Sequence, residues 1–198
     1  MIQRKIIPLD SLNLGLEDLR EQRLTNAKGS QKQQLIVCAS LVDKIPNLGG
    51  LARTSEIFAA QSLIVPDLSV TKMDIFQSIS VGAADWIDIQ EVKEEALLLW
   101  LLQKKTEGYW IVGLEQTSSS APLHQVEIPT NVVKNNNKTI LLLGKEKEGI
   151  PVQFLQAVDT CVEIPQFGMI RSLNVHVSGA ITIWELTRRT RLLQQQQE

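Results

Sequence analysis

From residue 35 onward, short apolar runs recur along the chain with polar, helix-like stretches between them. Residues 35–40 (LIVCAS), 63–65, 86–89, Trp110–Leu114, 139–144 and 161–165 each read as a strand. Helical patterning falls between them, over residues 51–60, 73–80, 92–105, 151–158 and 174–193. Gly108 stands where a C-terminal glycine closes the third of these. Strands that are apolar throughout, alternating with helices, imply a parallel sheet covered on both faces. The expected architecture is therefore one α/β domain over residues 35–198. Residues 1–34 are polar and mixed in charge, which suggests an N-terminal extension or linker ending an upstream region. The glutamine run 194–197 reads as a frayed terminus.

Composition narrows this only modestly. With 198 residues and 43% hydrophobic content, the chain can build a sizeable single core. No apolar run approaches the 18 or so residues a membrane span requires. The richest, residues 96–102, is bounded by Glu94, Glu95, Lys104 and Lys105 and reads as a buried helix. Residues 1–5 lack the apolar stretch of a secretory signal. Cys38 and Cys161 sit inside apolar runs as buried thiols, which suits a reducing intracellular compartment, cytoplasmic or nuclear. A formal net charge of −2 does not mark a nucleic-acid binder. Any RNA-binding surface must be local, shared across a dimer, or supplied by another domain.

Several familiar sites are missing. No Gly-x-Gly-x-x-Gly follows a strand, which argues against a dinucleotide fold. The segment 144–149 has the two-glycine spacing of a phosphate loop, but Ile150 and Pro151 stand where Lys and Ser/Thr are required. His124 and His176 lie apart from each other and from any cysteine or acidic cluster, so no metal is expected. No nucleophile elbow occurs.

Three glycine-bearing loops remain, each just after a strand, where parallel sheets gather ligands. In the first, Gly49 and Gly50 suit a tight turn after Asn47, with a helix starting at once and Arg53 in its first turn. A guanidinium there could hold a phosphate or carboxylate; a plain surface arginine is the ordinary alternative. In the second, Gly144 and Gly149 suit a loop that offers backbone groups to a ligand, with Glu146 between lysines. In the third, Ser172 and Asn174 lie at a helix start after Gly168, and either could cap it.

Taken together, the loops resemble the three signature motifs of the SpoU (TrmH-type) branch of the SPOUT methyltransferases. Asn47, Gly49 and Arg53 match the first motif and Gly144, Glu146 and Gly149 the second. Ile164, Pro165, Ser172, Leu173, Asn174 and Val175 match the third. The run 39–54 is also similar to the C-terminal methyltransferase domain of eukaryotic tRNA guanosine-18 ribose methyltransferases, which carry a long helical-repeat region upstream.

The resemblance implies a trefoil knot where the chain after Leu143 threads a loop, a homodimer, and a bent S-adenosylmethionine, with S-adenosylhomocysteine as product. It implies an RNA substrate, tRNA by the closer likeness. The cofactor would be held mainly by main-chain groups around Leu114, Leu143, Gly144, Ile164, Met169, Ser172 and Leu173. Glu115 is the acidic residue placed to meet the cofactor's ribose. A ribose 2′-oxygen would attack the sulfonium methyl in line, leaving one proton to remove. Neutralising a guanidinium near pH 7 costs about 8 kcal/mol. Arg53 therefore suits the phosphate beside the target ribose better than the role of base. Asn47, Ser172 and Asn174 would orient Arg53 and the ribose, with Glu146 fixing Arg53. Lys145, Lys147, Arg188, Arg189 and Arg191 could meet RNA or simply be solvated. The competing readings are a non-catalytic RNA-binding or dimerisation module and a SPOUT enzyme acting on a base nitrogen.

Overall fold

The computed structural model describes residues 32–134, 136–170 and 172–195. The chain divides into Met1–Gln31 and Lys32–Glu198, and the first unit lies outside the described residues. With it falls most of the expected extension. Residues 196 and 197 of the glutamine run, and Arg171 in the third loop, lie outside them too.

Seven strands form one sheet in the order β3-β2-β1-β6-β4-β7-β5. They are β1 (Leu35–Cys38), β2 (Ser62–Val65), β3 (Asp88–Glu91), β4 (Trp110–Leu114), β5 (Ala121–Pro122), β6 (Thr139–Leu143) and β7 (Thr160–Glu163). Every pairing is parallel, as the continuous apolar strands imply. The helices are α1 (Ile45–Ile57), α2 (Asp74–Ser80), α3 (Glu94–Thr106), α4 (Thr130–Lys134), α5 (Val152–Leu155) and α6 (Val175–Gln195).

Alternation along the central strands divides the core into two layers. Val37, Leu63, Val112, Leu141 and Leu143 point to one face, under Leu48 and Leu51 of α1, Phe76 of α2, and Ile183 and Leu186 of α6. Ile36, Cys38, Ile64, Ile111, Ile140 and Leu142 point to the other, under Leu97 and Leu101 of α3 and Phe154 of α5. Cys38 is fully buried, and burial raises its pKa to about 11, so the thiol stays protonated. Among the described residues no helix is long and apolar enough to cross a membrane.

Several expected boundaries shift, among them the end of the helix expected over 151–158, which spans only Val152–Leu155. The third strand begins at Asp88 rather than residue 86, because Trp86 closes a short 3-10 turn (Ala83–Asp85) and stays half exposed. The first helix begins at Ile45, six residues before the expected start. Pro46, with its φ already helical and no N–H to satisfy, opens the first turn.

Candidate active site

The early start of α1 changes what the first glycines do. Gly49 and Gly50 are helical and buried, not a turn. A Cβ on Gly49 would sit 3.1 Å from Ile79 Cβ, and one on Gly50 would come within 2.8 Å of His176 Cγ. They allow close approach of neighbouring elements. Arg53 accordingly lies two turns into α1 rather than in its first turn.

The second loop follows β6 and closes on itself. Lys145 N–H donates to Gly149 C=O at 2.9 Å, and Gly149 N–H returns to Lys145 C=O at 3.0 Å. Gly149 has φ +70°, and a Cβ on Gly144 would lie 2.6 Å from Ile150 N. These glycines make the loop tight, and the Gly149 backbone is spent on Lys145 rather than offered to a ligand. Lys145 pairs with Glu94 at 3.0 Å, leaving Lys147 exposed.

Held at the loop's head, Glu146 faces the amino end of α1. Its carboxylate accepts from Asn47 Nδ2 at 2.9 Å, from Lys44 N–H at 3.2 Å and from Asp43 N–H at 3.4 Å. No acidic residue stands in the first turn of α1, and no side chain caps it. Glu146 supplies from another loop the negative charge that a helix amino terminus favours. Burial pushes its pKa up, but the hydrogen bonds from Asn47 and the backbone outweigh this, so the carboxyl titrates below its ordinary value.

The third segment joins through the same asparagine. Asn174 Nδ2 donates to Asn47 Oδ1 at 2.9 Å. Asn174 Oδ1 accepts from His176 N–H at 2.9 Å and Val177 N–H at 3.3 Å, which makes Asn174 the cap of α6. Capping and site geometry are thus one interaction. Asn47, Glu146 and Asn174 form a continuous chain across all three segments.

Below this chain opens a cavity of about 440 Å³ at the carboxyl ends of β4 and β6. Leu114, Glu115, Leu143, Gly144, Glu146, Ser172, Leu173 and Asn174 all line it. A second cavity of about 140 Å³ shares Leu114, Glu115, Ser172 and Leu173 and adds Ile164. Together they gather all but three of the residues the sequence pointed to. Met169 lines neither cavity and is almost wholly exposed. Asn47 is buried behind Glu146. Arg53 lines neither cavity and forms no hydrogen bond or ion pair with the described residues.

Two expected contacts take a different form. Glu146 does not fix Arg53; it is engaged by Asn47, and Arg53 lies six residues, about 9 Å, further along the helix. Glu115 accepts from Ile150 N–H at 2.7 Å through one oxygen and from Gln116 N–H at 3.0 Å through the other. It braces the second loop. His176, expected only as an isolated histidine, sits against Gly50 and bonds Thr54 Oγ1 at 3.1 Å. Its spacing two residues after Asn174 marks the N-terminal turn of α6, but nothing in the sequence marks Gly50 as its seat.

A parallel α/β sheet with a cavity ringed by three strand-end loops defines a ligand-binding domain of the strand-end type. The chain belongs to the SpoU rRNA Methylase family, whose pattern matches residues 34–184. It is 47% identical over 188 residues to the mouse "tRNA (guanosine(18)-2'-O)-methyltransferase TARBP1", covering 94% of this chain and 12% of that protein. It is 38% identical over 156 residues to a Saccharomyces cerevisiae "tRNA (guanosine(18)-2'-O)-methyltransferase", covering 79% of this chain and 10% of that one. The chain therefore spans only about a tenth of the length of these relatives. Among solved structures it is similar to the Aquifex aeolicus TrmH/SpoU tRNA modifying enzyme. That match has TM-score 0.71 and 26% identity, and covers 88% of this chain and 85% of that one. It also shares the fold of an AdoMet-bound rRNA methyltransferase from Sinorhizobium meliloti, at TM-score 0.65 and 21% identity over 82% of this chain and 59% of that one.

Because the Ile150 N–H is buried, removing its acceptor leaves it unsatisfied. Glu115→Ala is expected to lower stability by about 1–3 kcal/mol in denaturant unfolding. An unchanged midpoint would show that the second loop does not depend on this brace.

Proposed function

We propose that this chain is the S-adenosylmethionine-dependent methyltransferase domain of a larger protein, and that it methylates a ribose 2′-OH of tRNA at guanosine 18. The carrying observation is the Asn174–Asn47–Glu146 chain, which brings the three family motifs together beside a cavity of cofactor size. The two similar eukaryotic proteins named above carry the guanosine-18 activity in their names.

The cavity residues suit S-adenosylmethionine chemically. The cofactor supplies an electrophilic methyl on a good leaving group. The protein has only to bind, orient and manage one proton. Leu114, Leu143 and Leu173 offer apolar wall, while the backbone around Gly144 and Ile164 offers polar groups for adenine and the methionine part. Ser172, exposed between the two cavities, is placed to bind the cofactor or the target ribose. Met169, exposed on the same loop, would cover the cofactor from outside. Since Glu115 is engaged by two backbone N–H groups, any ribose contact it makes uses its remaining lone pairs.

Arg53 is left to the RNA. Unpaired with any described residue, its guanidinium can take the phosphate next to the target ribose and stabilise the alkoxide as it develops. The proton then leaves through that phosphate or water.

The homodimer belongs to the same proposal. Val177, Ile181 and Trp184 form an exposed apolar stripe along α6, with Ile57 of α1 and a ring contact from Trp184 to Phe58 at 5.6 Å beside it. A stripe of this kind at i, i+4 and i+7 on one helix face suits a second copy. The trefoil threading after Leu143 rests on the family likeness. A crystal structure with S-adenosylhomocysteine tests it, and a chain that does not thread would remove it.

Bulk tRNA and labelled S-adenosylmethionine test the activity directly. Nuclease mapping should return 2′-O-methylguanosine; a base-methylated product, or none, contradicts the reading. Arg53→Ala should abolish turnover while S-adenosylhomocysteine still binds by calorimetry, and full activity in that variant sinks the assigned role. Light scattering should give twice the chain mass for the wild type and the single mass for Trp184→Asp. Equal masses would remove the α6 interface.

A further inference from the structure

The face that α1 turns toward the start of α6 is built as a row of matched contacts. Asn47, Gly50, Leu51 and Thr54 follow the i, i+3, i+4, i+7 spacing of one helix stripe. Asn47 meets Asn174, and Leu51 meets Gly179, where a Cβ would fall 2.9 Å from Leu51 Cδ2. Between them the His176 ring lies directly on the Gly50 backbone and bonds Thr54 Oγ1 through Nε2 at 3.1 Å. The ring thus fills the space that any side chain at position 50 would need.

We propose that His176 is a positioning residue for the methyl transfer, acting through Gly50 and Thr54 to set the rotation of α1 and so the place of Arg53. This rests on the functional reading above. The Asn47–Asn174 bond fixes the amino end of α1 and the Leu51–Gly179 contact its middle, so the turn that carries Arg53 is tied to α6 through Thr54. Arg53 lies six residues beyond Asn47 and off the contact stripe, so a small rotation moves its guanidinium far. Thr54, its immediate neighbour, is the fixed point nearest to it. His176 is suited to the task because its own N–H is tied to the Asn174 cap, so ring and cap move together. Burial pushes the imidazole pKa down, which keeps the ring neutral and able to pair with the Thr54 hydroxyl in either sense.

Gly50→Ala, His176→Ser, the double variant and His176→Gln, made in the full chain, test this with four readouts: kcat, KM for tRNA, S-adenosylhomocysteine affinity and Tm. Gly50→Ala drives a methyl into the ring and should lower kcat roughly 10- to 100-fold, the scale of a 1 Å misplacement. Its Tm should not fall in step, since Ala favours the helix over Gly. His176→Ser should lower kcat by about 10-fold with cofactor affinity within about twofold of wild type. The double variant should be no slower than His176→Ser, because the colliding ring is gone. His176→Gln should keep most of the wild-type kcat, since its amide still reaches Thr54. Wild-type kcat in His176→Ser overturns the inference. So does a fall of kcat, Tm and cofactor affinity together in all variants, which marks a merely structural contact. An inactive wild type removes the enzymatic reading first, and the inference with it.

Discussion

The site depends on a carboxylate that can only accept hydrogen bonds. Ionised Glu146 requires the donor end of the buried Asn47 amide, which turns the Asn47 oxygen toward Asn174. That in turn takes the Asn174 NH₂ and leaves its oxygen for the amino terminus of α6. From the other end, the orphan N–H groups of a helix start demand an oxygen, which fixes Asn174 the same way. Both ends impose one orientation, and the amides between have no alternative. A neutral or missing group at position 146 would free the Asn47 end of the series, while the amino terminus of α6 would still hold Asn174.

Everything else in the site serves to bring those three side chains within reach. The parallel sheet places β6 beside β4 and β4 beside β7, so their carboxyl ends share one rim. Gly144 and Gly149 make the second loop tight enough for its head to reach α1. Gly50 and Gly179 let α1 and α6 approach closely enough for asparagine side chains to meet. Glu115 ties Ile150 down from β4. The cavity between these parts is lined mostly by polar and charged residues, with Leu114, Leu143, Leu173 and Val175 among them. A net charge of −2 gives the chain little general attraction for RNA.

Much of this was legible from the chain. The four buried strands, β1, β2, β4 and β6, announced themselves through apolar runs such as Ile140–Leu142 and Ile111–Val112, because a strand covered on both faces has no polar side to show. The motif residues were legible through spacing, and most of them meet at the cavity. The role of the first glycines was not. Gly49-Gly50 after a proline has the composition of a turn, and only the partners packed against them, Ile79 and His176, reveal a helix that needs no side chain there. β5 is two residues long and α4 five, too short for any period to register. The Glu146–Asn47 bond spans 99 residues, and local pattern carries no information about it. Arg53 was the natural partner for Glu146 by charge; the helix start at Ile45 carries it away.

The coupling of the three motifs through one buried amide is tested most directly by a double-mutant cycle. Asn47→Ala and Asn174→Ala, singly and together, are compared by single-turnover methyl transfer to tRNA at saturating cofactor. If the chain acts as a unit, the double variant is scarcely slower than the worse single one, and the coupling energy is about 1–3 kcal/mol. If the two losses simply multiply, the asparagines act independently and the chain from Glu146 to α6 does not organise the site.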